Sequence, residues 1–212
     1  MKISAPQLNP QLDEITLDAF LEGDIEDAAL RNRDATNAHI TSLDMSGVVL
    51  EKVILTAAQF ERINARDLKV GQCDLSAAML GGGAINRAAF TNCRMAGVDM
   101  SKTALHDATF SGCKLDMANF RFADIRRVKF TDCTFTDTDF LGAVLHDVTF
   151  ESCTLERTVF TQAKCKLVDL RSSDLFELVG WSSLKGVIID GVQLAAVSPY
   201  LAHELGITVR SQ

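Results

Sequence analysis

Five of the six cysteines, Cys73, Cys93, Cys113, Cys133 and Cys153, stand 20 residues apart. A fixed period of that length marks a stacked repeat, in which each unit covers the apolar face of the one before. A shorter period runs inside it. Stepping by five from Ile25 to Leu175 visits 31 positions, all apolar, including the small Ala35, Ala65 and Cys165. The residue two places earlier is nearly always small or β-branched, as at Ala58, Cys73, Ala78, Val98, Ala118 and Val148, with Arg33 the one charged exception. Nothing is inserted or deleted along the stretch.

A period of five fits neither the 3.6 of an α-helix nor the 2 of a strand. It suits a chain that turns a corner every five residues and points two of each five inward. Four such sides close a square and return to the starting side after 20. Positions 20 apart then lie over each other at about 4.8 Å, the spacing of hydrogen-bonded strands. Phe90, Phe110, Phe130 and Phe150 should form one internal stack. Phe120, Phe140 and Phe160 should form another on the opposite side, and the five cysteines should line a third. Seven to eight coils give a rod roughly 35–40 Å long.

The run Cys113-Lys-Leu-Asp-Met-Ala-Asn-Phe-Arg-Phe-Ala-Asp-Ile125 alternates C-x-L-x-x with A-x-F-x-x. It resembles the pentapeptide-repeat proteins, and the resemblance covers about residues 20–180. What it implies is an all-β chain, a right-handed quadrilateral β-helix with a short C-terminal capping helix. The expected organisation is an N-terminal arm or cap over 1–19, the β-helix over 20–180, and a C-terminal cap over 181–212.

In a parallel ladder the cysteine Cβ atoms sit about 4.8 Å apart, beyond the usual disulfide span. They read as buried thiols acting as small hydrophobes, and Cys165, at a ladder centre, is expected to be buried as well. The Phe-rich half, about 90–160, should be the most robust, because a solenoid's stability sums coil and neighbour terms. Small Ala65 between Ile63 and Leu68 reads as an exchange of volume within one coil. Met1 to Pro10 has no apolar run of the signal-peptide type and no segment reaches transmembrane length, so a soluble, cytoplasmic, single-domain protein is expected.

The ends need covers. At the N-terminus an acidic cluster, Asp13, Glu14, Asp18, Glu22, Asp24, Glu26 and Asp27, would discourage edge pairing. At the other end Trp181 to Ile189 reads as a last strand-like coil. Within Asp190 to Gly206, Ser198 is a plausible N-cap, Pro199 the first helical residue and Gly206 the terminator. Leu194, Val197, Leu201 and Leu205 share a helical stripe. The tail Leu205-Gly-Ile-Thr-Val is similar to the closing motif of several pentapeptide-repeat proteins. The similarity implies a C2 homodimer joined at this end, with Trp181, Leu184, Leu194, Val197, Tyr200, Leu201 and Leu205 as its candidate contacts; the alternative is a cap without dimerisation.

Sites for chemistry are scarce. His106 and His146 share a column two coils apart with Arg126 between them, too far for one zinc ion, and read as surface histidines. Gly81-Gly82-Gly83 lacks the Lys-Ser/Thr of a phosphate loop and reads as a flattened or bulged corner. No catalytic residue, cofactor or metal is expected, and no direct binding of nucleic acid.

What remains is the surface. Gyrase-interacting bacterial members of the family are acidic rods resembling duplex DNA, so the resemblance implies a DNA mimic that binds DNA gyrase, with quinolone resistance as a consequence. Members that protect gyrase carry loops which interrupt the helix. This chain has none between 25 and 175, so it should look more like the loop-free inhibitory members. The alternative is a general protein-interaction scaffold. The formal charge of −7 agrees with a mimic, but residues 1–100 hold a net −5 and residues 101–180 only −2. The outward column Asp67, Arg87, Asp107, Arg127, Asp147 alternates in sign and should neutralise itself, each exposed pair contributing under about 1 kcal/mol. The better acidic strip is Asp99 and Asp139 with Asp116, Asp137 and Glu156 around the adjacent corner, diluted by Lys114 and Arg157.

Overall fold

The computed structural model describes residues 2–210. Met1 and Ser211–Gln212, the outermost residues of the two expected terminal segments, lie outside the described residues. The chain winds into a four-sided β-helix, each coil 20 residues long and paired in parallel with the next. Between Asp24 and Val179 the register never slips: Phe90 pairs with Phe110, Phe110 with Phe130, and Phe130 with Phe150.

The four sides are not alike. The first (centred on Ile25, Met45, through Leu145) and the second (Leu30, Leu50, through Phe150) merge into single strands, such as Leu43–Glu51, Ala104–Ser111 and Val144–Glu151. The third and fourth sides are joined by isolated bridges, such as Arg94 with Lys114 and Asn119 with Asp139. Their corners close with turn hydrogen bonds, Ala118 N–H to the Leu115 carbonyl at 3.0 Å and Ala123 N–H to Phe120 at 3.1 Å. One coil turns at Asp107, Gly112, Met117 and Phe122, all left-handed with φ of 53°, 64°, 58° and 58°. A left-handed L-residue costs about 1–2 kcal/mol, so the ladder must hold these corners, and the five-residue period is this turn repeated.

The core is the predicted ladder. All 31 positions but Cys165 are buried. Phe90, Phe110, Phe130 and Phe150 stack with centroids 4.5, 4.9 and 5.0 Å apart. Phe120, Phe140 and Phe160 stack at 4.9 and 5.0 Å. Phe135 stands edge-on to Phe130 at 5.0 Å and fills the middle. In the N-terminal half the side chains there are mostly aliphatic, with Phe20 and Phe60 the aromatic exceptions, and a void of about 20 Å³ remains among Leu50, Leu55, Val70, Leu75 and Phe90.

The cysteine column does the work of a hydroxyl column. Thr103, Thr138 and Thr158 occupy the same inward position and donate to carbonyls 23 residues back, at 3.2, 2.7 and 2.8 Å. Cys73 and Cys93 point Sγ at the equivalent carbonyls of Leu50 and Val70, both at 3.5 Å. Burial pushes the Cys73 thiol up to about 11. Cys165 departs from expectation and is only half-buried. Its strand, Lys164–Asp169, is the last of the ladder, and the next coil returns to it only through Ile188 opposite Asp169.

Two further expectations are corrected and one is extended. Gly81–Gly83 does not bulge, since Ala65 still pairs with Ile85. Gly83 instead makes room, as a Cβ there would lie 2.2 Å from Ile63 Cγ2. At the N-terminus there is a built cover besides the acidic cluster: Asp13–Glu14 pairs with Ala28–Ala29, and helix α1 (Leu17–Glu22), capped by Thr16, buries Phe20 over the first coil. At the C-terminus Trp181–Ser183 is a 3₁₀ turn rather than a strand.

Helix α2 (Gly191–Glu204) starts at Asp190, which forms a capping box with Gln193. It does not start at Ser198, and Pro199 lies inside it. Pro199 has no N–H for the Ala195 carbonyl. The Ser198 hydroxyl donates to that carbonyl at 2.9 Å instead, so the helix continues through the proline. Gly206 ends it with φ of 69°, as expected.

Candidate interaction surface

The acidic strip lies across the corner between the third and fourth sides. Asp99 and Asp139 occupy one outward column with Asn119 between them. Asp116 and Glu156 face outward on the third side, and Asp137 is the corner residue, with φ of 57°. Many of these carboxylates have local duties. Asp99 Oδ1 accepts the Ser101 N–H at 2.8 Å and Asp139 Oδ1 the Leu141 N–H at 2.7 Å. Asp34, Asp74, Asp169 and Asp174 repeat the contact on their own sides. Each such Asp closes a turn on the N–H two residues later, so aspartate recurs along these columns for a backbone reason. Asp116 holds the Thr134 hydroxyl at 2.9 Å and the Thr136 N–H at 3.0 Å.

Cations cover the rest. Arg157 binds Asp137 with Nε and Nη2 at 2.7 and 2.8 Å and also contacts Glu156. Its guanidinium holds the Asp137 carboxyl below the usual range. Arg121 Nε lies 3.7 Å from Asp139. The strip is therefore a mixed-charge surface.

Three apolar residues share this region and were not expected as surface features. Met79, Met117 and Phe122 are 48%, 64% and 53% exposed. Met117 and Phe122 stand at the two corners of one fourth side, and the Phe122 ring packs against Gly142, where a Cβ would come within 2.6 Å of it. Their sequence signal was present: each is a large apolar residue at an outward-facing position of its five-residue unit.

The alternating column behaves differently from expectation. Arg87 Nε donates to Asp67 at 2.6 Å, and Arg127 Nη2 to Asp107 at 2.6 Å. These are covered pairs, with Asp67 and Asp107 only 6% and 7% exposed. Residues 2–10 run over them and add backbone donors: Gln7 N–H to Asp67 at 2.8 Å and Ser4 N–H to Asp107 at 3.2 Å. Guanidinium hydrogen bonds lower both carboxyls.

On the first side His106, Arg126 and His146 are stacked as expected, but both histidines are half-buried by their neighbours. Arg126 Nε is 2.7 Å from Asp124, and His106 Nε2 is 3.5 Å from the same side chain. Among the described residues no group of three or more His, Cys, Asp or Glu could hold a metal. No helix is long and apolar enough to cross a membrane among them.

The expected dimer contacts divide. Trp181, Leu184 and Val197 are buried in their own cap and present nothing outward. Val197 faces inward because Gln193, one turn earlier, is drawn into the coil to reach the Leu170 and Ser173 carbonyls, both at 2.7 Å. Tyr200 and Leu201 are partly buried, with Tyr200 edge-on to Phe176 at 6.3 Å. Leu194 and Leu205 are exposed, as are Val192, Ile207 and Val209, which the helical stripe did not include.

The pentapeptide repeat region family matches residues 83–160 and 103–178. No protein of curated function matches the sequence. Among solved structures, a trypsin-treated variant of QnrB1, a plasmid-mediated fluoroquinolone resistance protein, is 21% identical, with a TM-score of 0.65 over 93% of this chain and 96% of that one. Full-length QnrB1 is 19% identical, with a TM-score of 0.54 over 89% and 94%. Residues 83–178 of this chain match the pentapeptide repeat family, and the β-helix as a whole has the fold of these solved structures.

Proposed function

We propose that this chain is a non-enzymatic binding rod that acts in the bacterial cytoplasm on a type II topoisomerase, DNA gyrase being the first candidate, and alters its activity or its sensitivity to quinolones. The observation that carries this reading is an uninterrupted solenoid matching a fluoroquinolone resistance protein over nearly its whole length. The net charge of −7 supports attraction to surfaces that hold DNA. Asp99, Asp116, Asp137, Asp139 and Glu156 are the carboxylates that would stand in for phosphates. Two copies join as a C2 dimer through the apolar C-terminal end, where Val192, Leu194 and Leu205 are exposed.

A second reading, an interaction scaffold with another protein partner, is favoured by the cover that Arg121 and Arg157 give the strip. Exposed Met117 and Phe122 beside Arg121 have the composition of a protein–protein anchor. The test compares gyrase binding by the wild type and by Asp137→Lys/Asp139→Lys. Loss of binding supports the mimic. Unchanged binding, with loss in Met117→Ala/Phe122→Ala, replaces mimicry by recognition through the apolar corner.

A further inference from the structure

The N-terminal arm is bound in a way that other surface segments are not. Residues 2–10 pair with no strand, yet they run lengthwise over the corner between the first and second sides, crossing coil after coil. Asp67 and Asp107 lie two coils apart, about 9.6 Å. An extended chain advances about 3.1–3.3 Å per residue, so three residues span the same distance. Gln7 and Ser4 are three residues apart, and each sends its N–H to one of these aspartates. Two coils further down the next aspartate of the column is Asp27, and the next arm position in phase is Pro10, which has no N–H. There the Asn9 side chain substitutes, with Nδ2 at 3.2 Å from Asp27. The apolar contacts follow the same path, with Ile3, Pro6 and Leu8 half-buried.

Arg87 and Arg127 hold the two carboxylates in place from the coils above, so each acceptor is fixed before the arm arrives. We infer that the Asp67–Arg87–Asp107–Arg127 column is a docking track for an extended peptide with N–H groups three residues apart, and that residues 3–9 are its resident, displaceable occupant. The occupant in trans is the same segment of a second copy, because its donors and apolar residues already match the track. In the free chain the tethered arm wins by its high local concentration. An arm loosened in one copy leaves the track open to the arm of another. The inference is independent of any topoisomerase.

The test uses the full chain with Ser4→Pro/Gln7→Pro, which removes both N–H donors from the arm and leaves the rod's own contacts intact. Chymotryptic cleavage after Leu8 should speed up about tenfold in the variant, the equivalent of losing about 1.4 kcal/mol of holding energy. A fluorescent peptide of residues 2–10 should then bind the variant at least about tenfold more tightly than it binds the wild type, read by anisotropy. The same peptide with proline at both donor positions should not bind, and this control needs no change to the protein. Unchanged cleavage, equal binding to variant and wild type, or equal binding of the proline peptide would each overturn the track.

Discussion

Gln193 donates its side-chain amide to the Leu170 carbonyl at 2.7 Å, and the same nitrogen reaches the Ser173 carbonyl at 2.7 Å. A solenoid's last coil has carbonyls with no further strand to bind them, and one buried amide from α2 takes two of them. Gln193→Ala leaves the Ser173 carbonyl unsatisfied and the Leu170 carbonyl with only the Ser173 N–H at 3.3 Å, at a cost of about 1–3 kcal/mol. For a chain of this size each kcal/mol lowers Tm by roughly 2–4 °C. Calorimetry on the variant checks this, and an unchanged Tm would mean that α2 is not the closure of the rod.

The two halves of the core should differ in response to substitution. Phe140 sits between Phe120 and Phe160 with nothing loose around it, so Phe140→Ala should cost about 3–5 kcal/mol. Val70 borders the void of about 20 Å³, and Val70→Leu should add about 0.5 kcal/mol by filling it. Urea denaturation of both variants measures the pair. Hydrogen exchange should open coils before Phe90 ahead of those between Phe110 and Phe160.

The buried thiols make a prediction about pH. Burial raises Cys73 to about 11, and hydrogen bonding with the neighbouring thiols, together with burial, raises Cys113 and Cys133 to about 12. The folded state holds the proton more tightly than the unfolded chain, whose thiols titrate near about 8.5. Their contribution is complete below that value and is lost as pH rises through it toward the folded values. Urea midpoints should therefore fall between about pH 8.5 and 12. Cys113→Ser should reduce the fall and keep the fold, because Thr103, Thr138 and Ser173 already place hydroxyls in equivalent positions. A thiol reagent at neutral pH should label Cys165 first.

The C-terminal end should govern association. Val192 and Leu205 are 82% and 74% exposed, and a charge at either would be buried in a dimer. Val192→Asp/Leu205→Asp should remain monomeric by light scattering at concentrations where the wild type is dimeric. A wild type that is monomeric at micromolar concentration contradicts the dimer.

Most of the fold was legible because the ladder repeats one local decision 31 times. Each apolar centre, from Ile25 to Leu175, states the same corner, so the register could be read without knowing the turn. The ends were harder. Thr16 and Asp190 each start a helix once only, and Ser198-Pro199 imitates a start that the Ser198 hydroxyl makes unnecessary. The surface was least legible. Asp99 and Asp139 read as free charge, whereas their Oδ1 atoms close turns, and an outward column cannot reveal that residues 2–10 will cover Asp67 and Asp107.

The central functional claim is tested most directly by DNA supercoiling with purified gyrase and increasing amounts of this protein, with and without a quinolone. The account predicts inhibition at low micromolar concentration, or rescue of supercoiling from the drug. Unaltered supercoiling in both conditions, with correctly folded protein present, would contradict it.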